Sequence, residues 1–259
     1  MSIDNGVYDR IGSGWWDEDN PLNMLQGSMT PARFDYFASV MRDHGRSPDG
    51  LRGLDVGCGG GFMSERFARA GVTVLGIDPS EVSLATARKH AETNGLPIEY
   101  RTGFGEELPV DDQAFDIAFC CDVLEHVSDL DKVISETARA LKPGGLYFFD
   151  TINRTWAANL LMIKLMQDWR FTRVFDTAIH DPTMFITPNE LSEALRRNGF
   201  VVCEFVGLAP HTANPRIAID FLRTRIGRLS FGEFSRRLHF GKTKSTAASY
   251  MGYAVRIAD

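Results

Sequence analysis

The chain has 259 residues, of which 44% are hydrophobic and 24% charged, enough to bury a sizeable core without covalent staples. Its 28 basic and 34 acidic side chains leave a net charge of -6, which argues against a general nucleic-acid binder because no excess of cations exists to displace counterions. The four cysteines (Cys58, Cys120, Cys121 and Cys203) form neither a disulfide framework nor a CxxC metal pair. The polar start MSIDNGVYDR and the lack of any long apolar run point to an intracellular, cytoplasmic protein.

In chain order, the irregular first thirty residues carry Trp15-Trp16. A helix is expected after Thr30, with Thr30 as its cap and Pro31 at its first position, running to about His44. Leu51–Gly57 reads as a strand and Phe62–Ala70 as a helix. Val72–Ile77 is the next strand and Ser80–Asn94 the next helix. Strands follow at Ile98–Thr102 and Phe115–Cys120, then an amphipathic helix over Asp129–Leu141 closed by the stop signal KPGG, then a strand at Leu146–Thr151. Thr187–Asn198 is a helix with a capping box of Thr187 and Glu190, and Val201–Leu208 and Ala248–Arg256 complete seven strand candidates. This alternation predicts an α/β fold, a doubly wound, mostly parallel seven-stranded sheet covered by helices on both sides. One domain is expected. It divides into an N-terminal lid and helix (1–45), a cofactor-binding core (51–151), a substrate-side insertion (155–185) and a basic insertion before the last strand (216–245).

The sharpest motif is LDVGCGGG, in which a strand ends in Asp55 and runs through Gly57, Gly59 and Gly61 into a helix. Such a turn lets a ligand approach the backbone unobstructed. A second acid, Asp78, ends the next strand 17 residues beyond Gly61, where a carboxylate suits the hydroxyls of a ribose. Asp55 would repel a pyrophosphate but face a cationic amino group, which favours a positively charged, phosphate-free nucleoside over a dinucleotide. NADH binding is accordingly expected to be absent.

These features resemble the class I S-adenosylmethionine (SAM)-dependent methyltransferases. The resemblance implies that the glycine turn cradles the amino-acid moiety and Asp78 the ribose, with cofactor contacts extending to Trp16, Cys58, Pro79 and Cys121. Where that superfamily often has an acid before the adenine, this chain has Phe104. Two readings stand, adenine meeting the Phe104 ring or the backbone at Gly105 and Glu106, or Phe104 as a buried core aromatic.

The second constellation, CDVLEHVSDLDKV, supplies Glu125, His126 and Asp129 within five residues at the end of a strand. If they share a helical turn, 125 and 129 face the same way. Three readings stand: one hard divalent ion, a general base without metal, or structural capping. His180 and Asp181 complete the substrate pocket or cap a turn, and His180 is carried as a catalytic candidate. Together with Gly14-Trp15-Trp16-Asp17, Asn20-Pro21-Leu22, KPGG, FFDTINR and FITPNEL, these motifs are similar to those of the ubiquinone-biosynthesis O-methyltransferases, which methylate catechol-type hydroxyls on polyprenylated rings. That likeness implies a small aromatic substrate, Mg2+ or a similar divalent cation on Glu125, His126 and Asp129, and a lid formed by Trp15-Trp16. The alternative is a small-molecule N-, C- or O-methyltransferase of secondary metabolism with a non-quinone acceptor.

Two segments depart from the pattern. Thr155–Phe175 is Met-rich and amphipathic (Trp156, Leu160, Leu161, Ile163, Leu165, Met166, Trp169 and Phe171). It corresponds to an insertion associated with membrane contact, and reads equally as a lid or a dimer face. The family-like Asn-Pro appears as Asn214-Pro215, followed by a long basic stretch over Arg216–Ser245. That stretch reads as a solvated surface, a reshaped pocket wall or a site for an anionic partner.

Overall fold

The structure is a computed structural model and describes residues 6–174, 179–211 and 216–257. The described strands are β1 (Arg52–Val56), β2 (Thr73–Asp78), β3 (Glu99–Thr102), β4 (Phe115–Cys121), β5 (Leu141–Ile152), β6 (Phe200–Pro210), β7 (Phe240–Thr243) and β8 (Ser249–Arg256). They form a single sheet in the order β3-β2-β1-β4-β5-β8-β6-β7. The first five run parallel, while β8 is antiparallel to both β5 and β6. The central strands bury both faces, so Phe119, Phe148 and Met251 meet one helical layer while Ala118, Phe149 and Tyr250 meet the other. An eighth strand joins the seven expected. The four residues of β7 pair with the edge of β6 and are too short and too polar at Lys242 to show a two-residue period.

The helices are α1 (Val7–Ile11), α2 (Thr30–Asp43), α3 (Phe62–Arg69), α4 (Glu81–Thr93), α5 (Leu130–Ala140), α6 (Trp156–Ala158), α7 (Pro188–Arg197), α8 (Arg216–Arg225) and α9 (Phe231–Leu238). Caps set several boundaries. The side chains of Ser80, Asp129 and Thr187 accept the backbone N–H of Ser83, Lys132 and Glu190, each such cap worth about 1 kcal/mol. Thr30, by contrast, is not a cap. A π-helical turn over Leu25–Met29 carries the helical path straight into α2, so the expected cap sits inside continuous helix, its hydroxyl buried. Asn214-Pro215 and Phe175 lie outside the described residues.

The surplus length has definite places. The N-terminal segment folds over the glycine turn, and α9 packs on its base. There the Ser28 hydroxyl donates to the Ser235 carbonyl (2.6 Å), and Arg236 pairs with Glu18 through two 2.9 Å bonds. The insertion after β5 continues from α6 into a π-helical stretch over Asn159–Asp168, with Ile163 buried and Trp156, Leu160, Leu161, Trp169 and Phe171 exposed. Among the described residues, no helix is long and apolar enough to cross a membrane.

Candidate active site

The carboxyl ends of β1, β2 and β4 open onto a cavity of about 550 Å³, the size class of a nucleoside with an amino-acid tail. Asp55 stands at the end of β1, almost fully buried, and its Oδ2 accepts the Ser64 hydroxyl at 2.6 Å. Burial, followed by the nearby charge of Asp78, raises its pKa to about 7. Asp78 ends β2, and its two oxygens accept the backbone N–H of Gly59 (2.8 Å) and Ser80 (2.9 Å). Burial raises it to about 6 despite these bonds. Two ionisable carboxylates in one dry cleft favour a ligand that brings positive charge.

Gly61 adopts a left-handed conformation (φ +83°) that turns the strand into α3. At Gly60 the freedom serves another purpose, because an added Cβ would overlap the Trp15 ring and its Cβ. The lid indole therefore lies directly on the glycine turn. Its N–H donates to Ser83 Oγ at 3.0 Å, and its ring stacks on Tyr8 and meets Phe62 edge-on. Trp16 reaches outward instead, donating to the Gly60 carbonyl at 2.9 Å and stacking on His90 with centroids 3.5 Å apart.

Of the expected cofactor residues, Asp55, Gly57, Cys58, Gly59, Asp78, Pro79, Phe104, Gly105, Glu106 and Cys121 line the cavity, whereas Trp15 takes the place expected for Trp16, and Gly61 lies behind the turn under Tyr100. Phe104 is 62% exposed on the rim, which removes the core-aromatic reading. Glu106 accepts both the N–H and hydroxyl of Ser128, at 3.0 and 2.9 Å.

The acidic and histidine cluster differs from the expected arrangement. Leu124–His126 forms a short 3-10 turn, and the chain then extends at Val127 before Asp129 caps α5. Positions 125 and 129 therefore do not share a helical face. The Asp129 carboxylate is committed to the Lys132 N–H at 3.0 Å. His180 joins the group in its stead, its ring centroid 5.3 Å from that of His126, and Glu125, His126 and His180 each present one ligand atom within 4.8 Å of the others. Gln167 of the insertion fixes this approach, donating its amide to the His180 carbonyl (3.1 Å) and accepting the His180 N–H (2.9 Å). Asp181 stays at the surface, where its carboxylate accepts the Thr183 N–H and hydroxyl as a turn cap.

Glu125 is buried, with Oε2 accepting the Thr151 hydroxyl at 2.7 Å and Oε1 lacking a hydrogen-bond partner. Burial, then the charge of Asp122, raises its pKa. Burial lowers His126 to about 4 and His180 to about 3, so both imidazoles are neutral near pH 7. Sequence reasoning missed Tyr8, Arg33 and Asp122 in the wall. Arg33 is buried on α2 and donates to Asp122 and to Asp150, both at 2.6 Å. Burial works against its charge, but the two carboxylates outweigh that and raise its pKa. Asn153, Arg154 and His211 have structural partners: the Thr246 carbonyl, Glu190 and the Lys242 carbonyl.

A mixed sheet with a parallel half, a glycine turn, paired strand-end acids and a lid over one nucleoside-sized cavity define a SAM-dependent methyltransferase. The methyltransferase-domain family model matches residues 54–149. Ubiquinone biosynthesis O-methyltransferase of Methylobacterium sp. (strain 4-46) is 36% identical over 219 residues, covering 81% of this chain and 86% of that protein. The protein of the same name from Methylococcus capsulatus (strain ATCC 33009 / NCIMB 11132 / Bath) is 36% identical over 230 residues, covering 85% and 93%. The chain belongs to the ubiquinone-biosynthesis O-methyltransferase family. Among solved structures, a SAM-dependent methyltransferase of Thermotoga maritima, a possible histamine N-methyltransferase by its description, matches with a TM-score of 0.62 at 16% identity, over 97% of this chain and 100% of that one. Magnesium protoporphyrin IX methyltransferase of Synechocystis PCC 6803, with bound SAH, matches with a TM-score of 0.56 at 21% identity, over 86% and 81%. These two likenesses establish the fold.

Proposed function

We propose that this methyltransferase carries the methyl group of SAM to a phenolic oxygen on a catechol-type ring bearing a polyprenyl tail. The observation that supports the reading most directly is the position of His126, which lines the cofactor cavity while converging with Glu125 and His180. Asp55 and the turn at Gly57–Gly59 would take the methionine end, Asp78 the ribose, and Phe104 with Gly105 and Glu106 the adenine. Held in that order, SAM would have its sulfonium within the cavity that His126 also lines.

Methyl transfer from a sulfonium is a direct displacement, so the protein must align the acceptor oxygen and deal with its proton. A phenol of pKa about 10 is a weak nucleophile at neutral pH. The neutral imidazoles of His126 and His180 can accept a hydrogen bond from the phenol at a ring nitrogen and so orient the acceptor oxygen, beside Glu125, whose raised pKa makes it the stronger base of the three. The same residues fit a divalent cation, because Glu125 Oε1 lacks a partner and both imidazoles keep a lone pair. Two imidazoles and one carboxylate suit Zn2+ or Mn2+ better than Mg2+, which prefers oxygen ligands. Such an ion would supply Lewis-acid stabilisation of the phenolate.

The exposed Trp156, Leu160, Leu161, Trp169 and Phe171 of the insertion give a polyprenylated substrate an apolar surface through which to approach from a lipid phase. Turnover and cofactor affinity of a His126→Ala variant, each measured with and without a chelator, test the assignment. Turnover falls in the variant while SAM affinity holds, and chelation inhibits the wild type reversibly. Wild-type turnover in the variant would overturn the role of His126. Chelator-insensitive wild-type activity would leave the cluster with its orienting and proton-accepting roles and remove the metal.

A further inference from the structure

Tyr8 stands where the lid, the cofactor cavity and the cluster of Glu125, His126 and His180 meet. Helix α1, which carries it, is fastened to the start of α4. The Asp9 carboxylate accepts the Ser80 hydroxyl at 2.6 Å, and Val7 on the same short helix is buried. The Tyr8 ring lies nearly parallel to that of Trp15 (4°) and perpendicular to that of His126 (89°), with centroids 6.1 Å apart in both pairs. The side chain lines the cavity together with Asp78, Asp122 and His126. Burial, then the charges of Asp122, Glu125 and Asp78, hold its phenol above the usual pKa, so it is a neutral hydrogen-bond donor. Those carboxylates take their hydrogen bonds elsewhere, Asp122 from Arg33, Glu125 from Thr151 and Asp78 from Gly59 and Ser80. The lid thus brings a donor that these acids do not use to the side of the cavity where the cluster lies.

We propose that Tyr8 positions the acceptor, its hydroxyl donating a hydrogen bond to the catechol oxygen that is not methylated. This role rests on the catechol reading of the acceptor given above. The two oxygens of a catechol are neighbours on one rigid ring, so holding one at Tyr8 delivers the other to the adjacent cluster in a fixed orientation. The same bond makes a lid residue discriminate between acceptors. A ring with a single hydroxyl, placed with that oxygen at the cluster, leaves the Tyr8 donor unpaired in a dry site and forfeits affinity.

The test is a cycle in which a hydroxyl is removed from the protein, from the acceptor, and from both. A short-chain prenylated catechol and the matched prenylated phenol are titrated by NMR into the full chain saturated with S-adenosylhomocysteine, as wild type and as Tyr8→Phe. Turnover of the catechol is followed separately with SAM. Phenylalanine keeps the ring against Trp15 and His126, so the thermal midpoint and SAM affinity are expected to hold. Catechol affinity should fall about fivefold to tenfold in the variant, with kcat/KM falling in step, whereas the phenol should bind both proteins alike. Equal weakening of catechol and phenol would overturn the proposal and reduce Tyr8 to packing. Wild-type catechol affinity in the variant would also overturn it, as would weaker SAM binding with catechol affinity intact, which would give the hydroxyl to the cofactor. Those three results leave the catechol reading in place. A wild type that methylates no prenylated catechol would overturn that reading, and the role of Tyr8 with it.

Discussion

Replacing Gly60 by alanine isolates the role of the lid. The three atoms nearest an added Cβ all belong to Trp15, so the methyl group has one neighbour to displace and leaves the sheet untouched. Eviction of the indole forfeits its hydrogen bond to Ser83, worth about 1 kcal/mol. It also forfeits the packing of a side chain only 6% exposed against Tyr8 and Phe62, so that the combined loss reaches about 3 kcal/mol. Those contacts belong to the ligand-free fold, so that loss should appear as lower unfolding stability in urea titrations, and because Trp15 also lines the cavity SAM affinity should fall by about tenfold or more by isothermal titration calorimetry. Trp15→Ala should weaken binding by a similar factor. The double variant should be no worse than Trp15→Ala alone, because the alanine then has nothing to strike. Additive losses, or a Gly60→Ala variant that binds as the wild type does, would refute the view that the turn is glycine at this position for the sake of the lid.

Three further outcomes are expected. Asp55 and Asp78 sit at about 7 and about 6 in the ligand-free fold, so SAM must bind against their protonation. Its affinity should rise with pH through this range, level off above about pH 7.5, and lose much of the dependence in Asp55→Asn. For stability the sign is opposite, since a raised folded pKa favours the ligand-free fold below about pH 4 and that contribution is lost as pH climbs through 7. Urea titrations across that range check it. Arg33→Met leaves the buried Asp150 without its ion pair and should lower unfolding stability by about 3–5 kcal/mol in the same assay. Gln167→Ala frees the His180 backbone and should reduce kcat by about tenfold while SAM affinity holds, as separate kinetic and binding measurements would reveal.

The residues proposed to hold the cofactor were legible as a group because their signals are local. Asp55, the glycines and Asp78 lie at strand ends, where strand, turn and helix follow one another within a few residues, and the caps at Ser80 and Thr187 are equally local. The cluster proposed to do the chemistry was legible only in part. Glu125 and His126 stood out, but the partner read for them, Asp129, is spent on capping α5. His180 arrives from the far end of the insertion, on a backbone that Gln167 holds. Arg33 left no trace in the pattern, since an arginine on an amphipathic helix reads as solvated until the fold sets two carboxylates against it. The π-helical turns and β7 were hidden for a related reason: both depend on tertiary pairing rather than on a repeat in the sequence.

The identity of the atom that receives the methyl group tests the central claim most directly. The wild-type protein would be incubated with isotopically labelled SAM and a polyprenylated catechol, and the product examined by mass spectrometry and NMR. A labelled methyl ether on one catechol oxygen, formed slowly or not at all by His126→Ala, is the expected result. A labelled carbon or nitrogen, or an intact catechol beside turnover on a non-quinone acceptor, would contradict it.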